Sequence, residues 1–191
     1  HPQAVPEAPR GADAERLVYA GLTAPLPLEP ELRGLAQATR VVREMEFLFP
    51  WSPDFVKGYL DVVVEHAGLT WVVDWKSDRL PSYDAAALGQ QVGERYRLQV
   101  QLYALALSRI LDVQDEASHQ ARFGGVAYVF LRGLGGKHSA LWVERPSWAT
   151  LLKWAEELPL EVRLNADKRG QLGLFGPMDT PPSGKRGRRR G

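Results

Sequence analysis

The chain has 191 residues, 45% of them hydrophobic and 25% charged, a balance typical of one globular domain with a buried core. Cysteine is absent, which excludes disulfides, thiolate zinc sites, iron–sulfur clusters and cysteine nucleophiles. No apolar run reaches the roughly 18–20 residues that a membrane span requires. The net charge is +1, and subtracting the five Lys and Arg residues of residues 180–191 leaves −4 on the rest. A free-standing DNA-binding domain would show a basic excess instead.

Composition divides the chain into three parts. Residues 1–40 begin rich in Pro and Ala, and we expect a loosely packed lead-in segment, the truncated N-terminal part of the domain, with short helices near 14–20 and 31–40. Residues 41–165 have the periodicity of a folded core. Residues 166–191 are rich in Gly and Pro and end in the basic run, so we expect a disordered tail there.

The core begins with strands and continues with a helix. Residues 41–50 alternate as a strand does, and residues 58–66 and 70–77 read as an antiparallel hairpin with a turn at Gly68. A long helix is predicted from residue 85 to about 111, where Leu98, Leu102, Leu105 and Ile110 repeat at helical spacing. A second hairpin and an amphipathic helix after Pro146 follow. This order predicts an α/β fold, a mixed central β-sheet flanked by helices, with inner strands buried on both faces.

Two carboxylates and a lysine lie on the paired strands of the first hairpin. With a turn at residues 67–69, residue i faces about residue 136 − i, which makes Asp61 and Asp74 direct or diagonal neighbours. Lys76, two residues beyond Asp74, projects from the same face. Two carboxylates buried together need a compensating cation, and Mg²⁺ binds one or two carboxylates while keeping waters. The alternative is a surface hairpin with ordinary ion pairs.

Two neighbouring features extend this cluster. Glu46, on the preceding strand, is a candidate third acid, although a solvated strand Glu has the same sequence signature. In the long helix, Arg95, Gln99 and Tyr103 recur at every fourth position and form one polar stripe. Gln and Tyr are less typical of a purely solvated face than Lys and Glu are.

Four segments together resemble the nuclease domain of the exodeoxyribonuclease V beta subunit (RecB) family, which belongs to the PD-(D/E)xK nuclease superfamily. The resemblance runs in chain order from about residue 22 to 145. It implies a fold with a restriction-endonuclease-like core and a metal-dependent exodeoxyribonuclease activity. The segments are VVREMEFLFP, KGYLDVVVEHAGLTWVVDWKSDRL, ERYRLQVQLYALALSRIL and FGGVAYVFLRG.

The resemblance also assigns roles to individual residues. Asp61, Asp74 and the backbone carbonyl of Trp75 are similar to the metal ligands of the family, with Mg²⁺ as the metal and Mn²⁺ or Ca²⁺ able to occupy the site. Lys76 matches the catalytic lysine. Gln99 and Tyr103 match the Q-x-x-x-Y helix motif beside the active site, and Glu46 matches an acidic residue of the first core strand.

The resemblance has one departure and leaves a second function open. The family places a metal-binding His on an upstream helix, whereas His1 is the sole histidine upstream of Asp61 here and precedes Pro2. We expect His66, His119 and His138 to be solvated. The implied function is DNA hydrolysis in double-strand-break repair and recombination in the bacterial cytoplasm, without membrane contact. The implied partners are DNA, chiefly single strands delivered by a helicase motor, and the partner subunits of a RecBCD-like complex. The alternative is a catalytically weak protein-interaction module for recombinase loading or subunit docking.

Overall fold

The computed structural model describes residues 10–51 and 54–158, which form a mixed β-sheet with helices on its faces. The strands are β1 (Arg40–Trp51), β2 (Asp54–His66), β3 (Leu69–Lys76), β4 (Phe123–Phe130) and β5 (Leu141–Glu144). The helices are α1 (Arg10–Thr23), α2 (Ala85–Gln91), α3 (Arg97–Ile110), α4 (Glu116–Arg122) and α5 (Trp148–Glu157), with short 3₁₀ turns at Leu35–Gln37 and Leu131–Gly133. The sheet confirms the predicted α/β class.

The strands lie in sequence order, β1-β2-β3-β4-β5. All neighbouring pairs are antiparallel except β3 and β4, which are parallel and connected through the helical segment between them. Both predicted hairpins are therefore present. In the first, Val62 faces Val73, so residue i faces residue 135 − i, one position from the register predicted from the sequence. The two-residue turn, Ala67 and Gly68, sets this register because both residues have positive φ.

Both faces of the central strands are buried, as their apolar sequences predict. All eight residues of β4 are buried, and five consecutive residues of β3 are buried. One face of the sheet packs against α3 and α5, where Trp154 is 4% exposed. The other face packs against residues 26–35.

The lead-in segment is not loosely packed as predicted. Leu26, Leu28 and Leu32 are at most 2% exposed and form part of the second core, and the backbones of Leu26 and Leu32 pair through two hydrogen bonds. The sequence conceals this packing because prolines at 25, 27 and 30 interrupt any regular helix or strand. Residues 1–9 and 159–191, including His1 and the basic tail, lie outside the described residues.

The predicted long helix is interrupted near its middle. α2 runs into a five-residue π-helical turn, Val92–Tyr96, and only then does α3 begin. The turn changes which side chains face the sheet: Leu98 is 53% exposed, whereas Val100, Tyr103 and Leu107 are buried. Among the described residues, no helix is both long and apolar enough to cross a membrane.

Candidate active site

The centre of the site is an ion pair on β3. Asp74 and Lys76 are two residues apart in a strand, so they project from one face, toward α3, while Trp75 packs on the other. Their side chains are only 3% and 10% exposed, and Lys76 Nζ lies 2.9 Å from Asp74 Oδ1. Burial without a partner would be costly for either charge, and the short contact offsets that cost.

Helix α3 completes a ring of polar side chains around this pair. Gln99 and Tyr103 lie one helical turn apart on the face of α3 that covers β3. Lys76 Nζ donates to Gln99 Oε1 at 2.7 Å, and Gln99 Nε2 donates to the hydroxyl of Tyr103 at 2.9 Å. The Tyr103 hydroxyl lies next to the Asp74 carboxylate and lowers its pKa. The predicted Gln and Tyr thus hold the orientation of both charged groups.

The electrostatics of the ring favour a bound cation. Burial raises the pKa of Asp74, and the neighbouring charge of Asp61 raises it further, while Lys76 and Tyr103 act in the opposite direction. Burial and the charge of Asp74 also raise the pKa of Tyr103, which therefore remains a protonated hydrogen-bond donor. A divalent cation beside Asp74 would offset the excess negative charge that these two carboxylates create.

Asp61 lies at the point where β2 and β3 separate. The last paired residues are Val62 and Val73; Asp61 and Asp74 are their immediate neighbours on the two strands, and the charge of Asp61 acts on Asp74. Asp61 is exposed, unlike Asp74. On β1, the residue between the Arg43–Val62 and Met45–Leu60 pairs is Glu44, which has a positive φ of 52°. The cluster therefore combines one buried carboxylate with one that is open to solvent.

The structure does not bring Glu46 into this cluster. Its neighbours Met45 and Phe47 face the core, so Glu46 projects from the opposite face of β1. There Lys57 Nζ lies 3.0 Å away and the Tyr59 hydroxyl donates to the carboxylate at 3.0 Å. These two contacts lower the pKa of Glu46. The geometry matches the alternative interpretation of Glu46 as a solvated strand residue.

Gly58 in the KGYLD segment supports the site from β2. A Cβ at this position would lie 2.4 Å from Cζ of Phe47, since the Phe47 ring covers the glycine across the strand pair. Phe47 also makes an edge-to-face contact with Tyr103, with ring centroids 6.2 Å apart. The absence of a side chain at Gly58 thus allows Phe47 to pack against the tyrosine beside Asp74.

Tyr128 is a member of the site that sequence reasoning missed. It lies directly beside Asp74 in the parallel β3–β4 register, and its hydroxyl donates to Gln99 Oε1 at 3.0 Å. Tyr128 is fully buried, so its hydroxyl requires this acceptor. The segment GGVAYVF indicates a buried strand, and a tyrosine within such a strand is the one available signal. The register that places it against Asp74 depends on tertiary structure.

The donor set suits a hard cation with retained waters. Within residues 10–51 and 54–158, no three His, Asp or Glu side chains form a group that could hold a metal ion. The predicted ligands, namely the side chains of Asp61 and Asp74 and the backbone carbonyl of Trp75, would supply oxygen donors only. Mg²⁺ accepts so few protein ligands because it keeps several waters.

The histidines contribute to packing instead. His138 is exposed, as expected, but His66 is half-buried at the end of β2 and His119 is 1% exposed within α4. The His119 ring stacks on Phe123, and its Nε2 lies 3.0 Å from the carbonyl oxygen of Pro146. The expectation of a solvated His119 was wrong, because residues 116–122 form a helix that turns the ring into the core. The same expectation for His66 was partly wrong, because its side chain is half-buried.

Comparison with known proteins agrees with this fold. The model of the PD-(D/E)XK nuclease superfamily matches residues 7–172, so the chain belongs to that superfamily, whose members generally use divalent metal ions. Within it, the chain is similar to the RecBCD enzyme subunit RecB of Escherichia coli, with 37% identity over 112 residues, and to that of Haemophilus influenzae, with 38% identity over 99 residues. These alignments cover 54% and 48% of this chain but 9% and 8% of the relatives.

Proposed function

We propose that this chain is the Mg²⁺-dependent nuclease domain of a RecB-like helicase–nuclease, and that it hydrolyses phosphodiester bonds of DNA as an exonuclease in double-strand-break repair and recombination. The observation that carries the proposal is the buried ring of polar side chains formed by Asp74, Lys76, Gln99 and Tyr103. A buried carboxylate and a buried ammonium held this tightly, beside a second, exposed carboxylate, are typical of a catalytic centre.

The two carboxylates provide the cation site in this proposal. Asp74 is the fixed ligand, because β3 and Tyr103 orient it, and Asp61 is the solvent-facing ligand. The carbonyl of Trp75 contributes a further oxygen. When bound, Mg²⁺ supplies Lewis-acid chemistry toward phosphate and water oxygens.

Lys76 has a role that is separate from cation binding. Its ammonium bonds Asp74 and Gln99, which use two of its three N–H donors. The third can donate to the attacking water or to a phosphate oxygen, where charge develops in the transition state. Gln99 keeps the ammonium in place, since its amide is itself fixed by Tyr103 and Tyr128.

The proposed substrate is a single DNA strand delivered by a helicase motor. The relatives are named as subunits of the RecBCD enzyme, which supports partner subunits of a RecBCD-like complex as neighbours of this domain. The charge distribution also supports this arrangement. With −4 on the chain outside the basic tail, the domain lacks the basic excess that strong DNA binding requires, so other components would hold the strand.

A cleavage assay on end-labelled single-stranded DNA tests the proposal. We expect Mg²⁺ to support cleavage and EDTA to abolish it, and we expect Asp74→Asn to abolish it while the domain stays folded. The matched control is Asp112→Asn. Asp112 is exposed after α3 and has a φ of 51°, which Asn adopts readily, so this variant should cleave as the parent does. Equal activity in Asp74→Asn and the parent would refute the assignment.

A second variant separates chemistry from metal binding. Lys76→Gln should retain affinity for Mn²⁺ or Ca²⁺ in calorimetric titration and lose cleavage, because the ammonium is assigned to the transition state. Loss of metal binding with retained cleavage would reverse the two roles.

Glu46 offers the sharpest contrast between sequence and structure. If the resemblance governs its role, Glu46→Gln should reduce cleavage, whereas its contacts with Lys57 and Tyr59 predict parental activity. We propose the second outcome. A cleavage rate reduced tenfold or more (about 1.4 kcal/mol in the barrier) would show that Glu46 takes part in the reaction.

A further inference from the structure

Lys76 is held by two aromatic rings in addition to its hydrogen bonds. Its Nζ lies over the ring of Tyr96 at 4.3 Å from the centroid and over the ring of Tyr128 at 4.6 Å. The two rings meet edge to face, with centroids 5.7 Å apart and an interplanar angle of 72°. The ammonium therefore lies in a corner formed by these two rings, which we call the tyrosine corner of Lys76.

The π-helical turn brings Tyr96 to this position. Tyr96 is the last residue of the Val92–Tyr96 turn, immediately before α3. The backbone of Tyr96 itself departs from helical geometry, with φ −119° and ψ 1°. The extra residue of a π-helical turn shifts the helix face, and such turns frequently occur at functional sites.

Asp78 then fixes the far end of the Tyr96 ring. The Tyr96 hydroxyl donates to the Asp78 carboxylate, at 2.8 Å from Oδ2 and 3.0 Å from Oδ1, and Gln91 Nε2 donates to Oδ1 at 2.9 Å. The backbone carbonyl of Asp78 accepts a hydrogen bond from Tyr83 at 2.9 Å. Asp78 follows Lys76 by two residues, so one short segment carries both the ammonium and the anchor of the ring that covers it.

We propose that Tyr96 is a positioning residue for the catalytic step. Its ring, which Asp78 fixes through a hydrogen bond, acts together with the ring of Tyr128. The two rings hold the Lys76 ammonium in the direction in which it meets the scissile phosphate. This inference rests on the proposed nuclease function. A cation over a desolvated aromatic face is attracted by the ring quadrupole, and the attraction restricts the long lysine side chain without using its remaining N–H donor. Asp74 and Gln99 fix the ammonium through hydrogen bonds, and the two rings add their attraction to these bonds.

The hydroxyl of Tyr96 distinguishes this residue from a purely apolar packing element. Its half-buried ring packs against the edge of the core, while its hydroxyl bonds the carboxylate of Asp78. Burial and Asp78 together raise the pKa of Tyr96 to about 12, which keeps the hydroxyl protonated as the donor to Asp78.

Kinetics with Tyr96→Leu and Tyr96→Phe test the proposal. Removing the ring should lower kcat roughly 5- to 30-fold, the range for a cation–π contact of about 1 to 2 kcal/mol, with KM little changed. Tyr96→Phe keeps the ring and should restore most of kcat. In a Lys76→Gln background, Tyr96→Leu should have no further effect on the residual rate. Tyr59→Leu is the matched control, because Tyr59 carries Lys57 at 5.6 Å on another part of the sheet, and it should leave kcat unchanged.

A spectroscopic measurement makes the test independent of metal and of activity. Protons on the ε-carbon of Lys76, assigned through bonds by NMR in the metal-free parent, should resonate upfield of free lysine because of the two rings. Tyr96→Phe should keep this shift and Tyr96→Leu should reduce it. An unshifted Lys76 signal in the parent, a parental kcat in Tyr96→Leu, or an equal loss in the Lys76→Gln background would each overturn the proposal. Absence of cleavage by the parent with the upfield shift present would instead refute the nuclease function and leave the corner intact.

Discussion

Replacing Lys76 by Met removes the ammonium from the buried pair while preserving most of the side-chain volume. The side chain of Asp74 is only 3% exposed, and it would lose the ammonium that lies 2.9 Å from its Oδ1 in the parent. Removing one partner of a buried ion pair costs about 3–5 kcal/mol, because the other charge stays desolvated. Tyr103 still lies beside Asp74, and the carboxylate can take up a proton, so we expect the lower end of that range.

The cost should depend on pH with a definite sign. Burial raises the pKa of Asp74, and loss of Lys76 raises it further. A carboxyl with a higher pKa in the folded than in the unfolded state loses stability for the protein as the pH rises from the unfolded to the folded value. The penalty is full above the folded pKa and absent below the unfolded one. The free energy of unfolding of Lys76→Met should therefore fall short of the parent by about 3 kcal/mol near pH 8, and by less near pH 5.

Urea unfolding in EDTA, followed by tryptophan fluorescence, measures this difference. A domain stable by about 5–15 kcal/mol stays folded after such a loss, so the transition remains measurable. The double variant Lys76→Met/Asp74→Asn removes the buried charge and should recover most of the stability and lose the pH dependence. A deficit below about 0.5 kcal/mol near pH 8, or a deficit that Asp74→Asn does not relieve, would refute this account of the pair.

Three further changes test other parts of the site. Gly58→Ala places a Cβ 2.4 Å from the Phe47 ring that supports Tyr103, so we expect urea unfolding to show a loss of about 1–3 kcal/mol, together with slower cleavage. Asp61→Asn should raise the Mg²⁺ concentration needed for half-maximal cleavage and lower the pKa of Asp74, which NMR titration without metal can detect. Truncation at residue 180 removes five cationic residues, and we expect the log–log salt dependence of single-strand binding to flatten by about 3.5 without a change in melting temperature.

The sequence alone determined the pairs of site residues that lie within one element. A strand alternates its side chains, so Asp74 and Lys76 had to share a face wherever the strand was placed. A helix repeats every 3.6 residues, so Gln99 and Tyr103 had to lie on one stripe. The first hairpin was predictable for the same reason, because its short Gly-containing turn brings consecutive strands together and places Asp61 near Asp74.

Tertiary structure decided how those elements meet. Only the parallel β3–β4 register sets Tyr128 beside Asp74, and only the π-helical turn sets the ring of Tyr96 over Lys76. The same holds for Glu46, whose assignment to the site came from similarity, while the pairing of β1 with β2 turns it toward Lys57. Local periodicity follows from backbone geometry and is visible in a short segment. Register between distant strands and the rotation of a helix depend on the packing of the whole core, which no single segment encodes.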